Sequence, residues 1–272
     1  MCKNSCEIFK FLTNGFLVLS LVFCFQSCKE KKQEAVTEVS NEMPQKGDDF
    51  VSIFDGKTLT GWKGDANYWR VENGNLVGEV TPETLLKRNT FIIWQEGQPG
   101  DFELKLEFKI TESGNSGINY RSDLIDSIPN ALKGYQADID GKIRYTGQNY
   151  EEKKRATLAY RGEKVKIQTQ DNPDVAGSLR GNVKKNCWQS REVINSLGES
   201  DSLKTKIKSE DWNEVHLVIK GNRLQHYVNG VLMSDVIDED TINRKLKGHL
   251  GVQVHVGPPM KVEYRNIRLK HL

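Results

Sequence analysis

The stretch "FELKLEFKI" (102–110) alternates apolar and charged side chains without a fault, which is the signature of a strand with one face buried and one in water. Two further runs, "WRVENGNLVGEV" (69–80) and "RLQHYVNGVLMSDV" (223–236), place Asn-Gly between strand-like segments. That dipeptide suits a type I′ hairpin turn, in which both central residues take φ > 0. Shorter strand patterns occur at 50–54, 91–94, 117–122, 142–146, 164–168, 213–220, 249–256 and 261–270. About a dozen short strands with turn signals between them predict an all-β, antiparallel sandwich or jelly roll, a single domain over 49–272. Residues 170–211 interrupt the pattern as a polar excursion, a lid or a tolerated surface insertion. Within it "SREVINSLG" (190–198) predicts a short helix with Ser190 as its cap and Gly198 as its stop.

The N-terminus follows a different pattern. Lys3 and Lys10 flank the start of an apolar run, Phe11 to Phe25, which is short for a membrane span and suits an export signal. It ends in Phe25-Gln26-Ser27-Cys28, similar to a lipoprotein box except that Phe25 stands where Leu is favoured. The reading is a signal peptide over 1–27, a lipid anchor on Cys28 and a polar tether to residue 48. The resulting expectation is an exported lipoprotein, periplasmic or anchored in the outer membrane of a Gram-negative bacterium. Of five cysteines, three fall in the signal and one is Cys28, so only Cys187 remains and an internal disulfide is excluded. With a net charge of +2 and interspersed signs, the chain shows no basic stripe of the kind nucleic acid requires.

Candidate chemistry emerges from parity. In "GYQADIDG" (134–141), Gln136, Asp138 and Asp140 share one strand face, and Tyr135, Ala137 and Ile139 share the other. The same rule sets Asn119 and Arg121 opposite Ile118 and Tyr120, and Gln253 and His255 opposite Val252 and Val254. Compact amides, carboxylates, Arg and His on three strands differ from the Lys/Glu face of "FELKLEFKI", and they suit a concave sheet that pairs donors and acceptors with a polyhydroxylated ligand. His226 falls on the side of Leu224 and Val228, the placement of a core histidine, and stays a candidate contact. No H-x-x-x-H, cysteine pair, G-x-S-x-G, P-loop or dinucleotide fingerprint is present.

The blocks "FVSIFDGKTLTGWKG" (50–64), "DFELKLEFKITESGNSGINYRS" (101–122), "GYQADID" (134–140), "DWNEVHLVIKGNRLQHYVNGVLMSDVIDED" (211–240) and "GHLGVQVHVGPPMKVEYRNIRLK" (248–270) resemble, in this order, the bacterial 3-keto-disaccharide hydrolase domain family. The resemblance implies a concanavalin A-like jelly roll with a sugar-binding sheet. Retaining glucanases of that fold carry Glu-x-Asp-x-Glu, aligned here with Gln136, Asp138 and Asp140. An amide cannot serve as the nucleophile, so a two-carboxylate displacement is disfavoured. A 3-keto sugar offers another route, in which the carbonyl acidifies C2–H and β-elimination expels the C1 substituent before water adds.

For that route the candidates are Asp138 or His255 as base, Arg121 and Gln136 at the enolate oxygen, and Glu152 or Arg155 near the leaving group. Asn119, Asp140, Gln253, Asn115 and His226 complete the expected substrate contacts. A divalent metal on Asp138, Gln136 and His255 is the alternative enolate stabiliser. The implied functional partner is an oxidoreductase that makes the keto sugar, and the membrane is met only through the lipid anchor. A carbohydrate-binding module without turnover is the competing reading.

Overall fold

The computed structural model describes residues 49–169 and 191–272, so the expected signal, Cys28 and the tether lie outside the described residues, as do positions 170–190 of the expected insertion. Strands are numbered in chain order. The larger sheet runs β12 (Arg191–Ser196), β11 (Glu163–Ile167), β15 (Val231–Asp238), β14 (Arg223–Val228), β13 (Asn213–Lys220), β6 (Phe102–Ile110), β17 (Met260–His271), β4 (Asn75–Val80) and β3 (Trp69–Glu72), with β1 (Val51–Ser52) also on β17. The second sheet runs β10 (Ala156–Ala159), β9 (Asn149–Glu152), β8 (Leu132–Asp140), β7 (Asn115–Leu124), β16 (His249–Val254), β5 (Thr90–Trp94) and β2 (Trp62–Lys63). This is the expected all-β sandwich of jelly-roll type, with one departure from antiparallel pairing, β11 against β15.

Period two builds the core. Phe102, Leu104, Leu106, Phe108 and Ile110 of β6 all point inward, each contributing about 1.5–3 kcal/mol on burial, while the intervening Glu and Lys stay half-exposed. They pack against Ile118, Tyr120, Tyr135 and Ile139 of the second sheet. Both Asn-Gly turns form with positive φ at Asn73 and Gly74 and at Asn229 and Gly230, as type I′ geometry demands. No helix among the described residues is long and apolar enough to cross a membrane.

Two local expectations are corrected. Residues 190–198 do not form the expected helix: Arg191–Ser196 is strand β12, antiparallel to β11, and the helix α1 follows at Ser200–Lys204. Val193 and Ile194 are β-branched and partly exposed, and the free edge of β11 offers them ladder hydrogen bonds that a short isolated helix could not match. Residues 142–146 are a turn instead of a strand, because Asp140 binds the backbone of that segment.

Candidate active site

The outer face of the second sheet carries the polar set. Register places Tyr150 of β9 and Asn119 of β7 on either side of Gln136, with Gly117 beside Asp138 and Asn115 beside Asp140. A cavity of about 300 Å³ opens over this floor, lined by Asn115, Gln136, Asp138, Tyr145, Gln148, Tyr150, Glu152, Thr157 and His255. The floor is tight: a Cβ on Gly117 would come 2.5 Å from Gln136 Cδ, so glycine there is what lets the Gln136 amide lie flat and reach Asp138. Gln136 Nε2 donates to Asp138 Oδ1 at 2.6 Å, Gln148 Nε2 donates to Oδ2, and Gln253 Nε2 donates to Gln136 Oε1 at 3.4 Å.

Burial decides the electrostatics. It pushes Asp138 up to about 7, against the lowering effect of its two amide donors and with help from nearby Glu152 and Asp140. Glu152 is raised too, chiefly by burial, with Lys153 and an Asn89 Nδ2 bond of 3.3 Å only partly offsetting it. The Tyr150 phenol is pushed up to about 12 by burial and by both carboxylates, so it stays a neutral donor. His255 Nδ1 lies 2.6 Å from the Val256 carbonyl oxygen. A carbonyl only accepts, so Nδ1 carries a proton, and in the neutral tautomer Nε2 is the acceptor. Asn89 ties the two together, with Oδ1 accepting the Val256 N–H at 3.0 Å.

Several residues expected in the site sit elsewhere. Arg121 follows a register slip in β7, where pairing jumps from Tyr120 to Asp123 and Arg121 itself has φ 45°. The bulge reverses its direction. Its guanidinium donates to the Gly100 and Gly221 carbonyls and to Asp101 Oδ1 (2.9, 2.6 and 2.9 Å), which removes it from the cavity. Arg155 is also corrected: it is fully buried on the core side, bound to Glu151, Asp238 and Asp240. Asp140 does not face a ligand, because its carboxylate accepts the N–H groups of Arg144, Tyr145 and Thr146 at 2.8–3.0 Å. His226 is a core histidine against Tyr120 Oη and Asn149 Nδ2 (2.9 and 3.3 Å), and burial lowers it to about 4. Asn119 and Gln253 are completely buried beside Gln136 and do not line the cavity; both polar atoms of Asn119 and Oε1 of Gln253 lack a partner.

Five contributors went unnoticed at the level of sequence: Asn89, Tyr145, Gln148, Tyr150 and Thr157. Only Tyr150 had a signal, since "NYEE" (149–152) alternates with Asn149 and Glu151 inward and Tyr150 and Glu152 toward the cavity. The donor set does not suit a divalent metal. Among the described residues no three His, Cys, Asp or Glu side chains converge in a metal-binding group, and each Asp138 oxygen already accepts an amide proton.

Residues 49–270 match the model of a family described as the 3-keto-alpha-glucoside-1,2-lyase-like domain. The chain belongs to this family. Membership in the lyase-like family agrees with the resemblance seen in the sequence. A relative from Bacteroides thetaiotaomicron, a 3-keto-disaccharide hydrolase, is 31% identical over 36% of this chain and 36% of its own. The chain thus spans about a third of the length of the curated relative it matches. Among solved structures, a Parabacteroides distasonis protein provisionally classed as a glycosyl hydrolase aligns at a TM-score of 0.49 with 20% identity, covering 82% of this chain and 94% of that one. The carbohydrate binding module CBM66 from Bacillus subtilis aligns at 0.47 with 15% identity, covering 77% and 95%.

Proposed function

We propose that this domain cleaves 3-keto-glycosides by elimination and rehydration. The observation that carries the reading is the pair of burial-raised carboxyl groups, Asp138 and Glu152, lining one cavity together with a histidine whose Nε2 is an open acceptor. Carboxyl groups whose proton affinity burial raises in a cleft are suited to moving protons in both directions. Ionised Asp138 takes the C2 proton, and the C–H electron pair forms the enolate, whose oxygen accepts a hydrogen bond from neutral Tyr150. Collapse of the enolate breaks the C1–O bond, and the leaving oxygen takes the proton of Glu152. Water then adds to C1 as His255 Nε2 takes its proton and Asp138 returns one to C2. Transfer of the histidine proton to Glu152 restores the site, and the net change is hydrolysis.

The cellular setting proposed with it is an exported lipoprotein anchored through Cys28, fed by an oxidoreductase that oxidises the C3 hydroxyl of a glycoside. The test uses the full-length chain with a chromogenic glucoside and its 3-keto derivative, each with and without a chelator. Release from the keto compound alone, with a primary isotope effect when C2 carries deuterium, is the expected result. Release from both compounds without an isotope effect would replace elimination by direct displacement. Saturable sugar binding with no release from either would make the domain a binding module.

A further inference from the structure

The turn that Asp140 grips has a use of its own. We propose that Tyr145 is the platform of the leaving-group subsite and receives the flat C–H face of a pyranose ring. This rests on the reading of the cavity as a keto-glycoside site and adds to it the class of leaving group.

Three observations lead there. Tyr145 is 42% exposed and still lines the cavity, so a large aromatic ring stands at the rim. Its position is enforced: Asp140 Oδ1 accepts the Tyr145 N–H at 2.8 Å and the Thr146 N–H at 3.0 Å, and Arg161 Nη1 holds the Thr146 carbonyl at 2.8 Å. The price is Ile143 at φ 52°, a conformation that a β-branched residue avoids unless its surroundings compel it. Finally, the ring is backed by the Arg144 guanidinium, 5.4 Å from its centroid, which limits its freedom to swing.

The cavity is consequently polar at the bottom and aromatic at the edge. A sugar has the same division, with hydroxyl groups around its rim and an apolar C–H face. At about 300 Å³ the cavity is at the small end for ligand sites and accommodates one ring over Asp138 and Glu152. The group on C1 must then lie outward, against Tyr145.

The experiment compares wild type, Tyr145→Ala and Tyr145→Phe on two substrates, a 3-keto-disaccharide that releases glucose and methyl 3-keto-α-glucoside. Calorimetric binding of the unoxidised disaccharide is measured alongside. An aromatic contact of this kind is worth roughly tenfold. Tyr145→Ala is expected to lower kcat/KM for the disaccharide about tenfold more than for the methyl glycoside, mainly through KM, and to weaken disaccharide binding by a similar factor; Tyr145→Phe keeps the wild-type ratio. Equal losses on both substrates, or unchanged binding and ratio, would overturn the platform. If wild type turns over neither substrate yet Tyr145→Ala loses disaccharide binding, the elimination chemistry fails while the platform stands. Absence of both turnover and binding in wild type would sink both.

Discussion

Glu151 and Glu152 are neighbours in the chain and opposites in circumstance. Strand β9 turns Glu151 toward the core, where Arg155 meets it at 2.5 Å and also binds Asp238 at 2.6 Å. It turns Glu152 to the cavity, where Asn89 and a Lys153 ammonium 3.7 Å away are its recorded partners. Both sites are acidic and buried, yet one is compensated by a guanidinium and the other holds two carboxyl groups whose proton affinity is raised. Close compensation fixes a carboxylate in the fold, and weaker compensation leaves its proton affinity raised, as the proposed proton transfers require.

The largest effect that can break this contrast is on turnover. Asp138→Asn keeps the shape but can accept only one of the two amide protons from Gln136 and Gln148 and has no proton to trade, so kcat/KM on a 3-keto-glycoside is expected to fall about 10²- to 10⁴-fold with an unchanged circular dichroism spectrum. Full activity would make Asp138 a fixture after all. On the other side of β9, Arg155→Met leaves Asp238 and Asp240 buried without their cation and Glu151 with Lys154 alone. Urea unfolding should show a loss of about 3–5 kcal/mol, and a change under 1 kcal/mol would mean that the core carboxylates need no compensation.

A subtler difference appears in the pH dependence of stability. Folded Asp138 keeps its proton to about pH 7, whereas the unfolded chain releases it near 3.8, so this group makes stability fall as pH rises through that window. Folded His226 stays neutral down to about pH 4 while the unfolded ring protonates near 6.5, so its contribution is lost as pH falls between those values. Between about pH 4 and 6.5 the two slopes, each about 1.4 kcal/mol per pH unit, oppose one another. Asp138→Asn should uncover the His226 slope, and stability of the variant should rise with pH across this range. A variant that instead parallels wild type would show that Asp138 is not held protonated by burial.

Much of the fold was readable because hydrophobic alternation and Asn-Gly turns are local signals. Parity alone set Gln136, Asp138 and His255 toward one side, and these three do line one cavity. Parity misled at Arg121 because a β-bulge leaves no mark in the residue pattern, and the slip reverses every side chain beyond it. Arg155 and Asp140 looked like ligand contacts since charge says nothing about which acceptors or donors the fold will bring near. Tyr145 and Gln148 belong to a turn whose shape depends on a carboxylate several residues away, and the run "KIRYT" reads as a strand until that carboxylate is known to cap it.

The cap also bears on how such proteins change over generations. Asp140 sits at the end of a paired strand and grips the turn through the Arg144, Tyr145 and Thr146 N–H groups and the Thr146 hydroxyl, so positions 144 and 145 enter the grip through their backbone alone. The rim at 144 and 145 can therefore accumulate substitutions while the turn keeps its shape and the floor of Gln136 and Asp138 stays as it is.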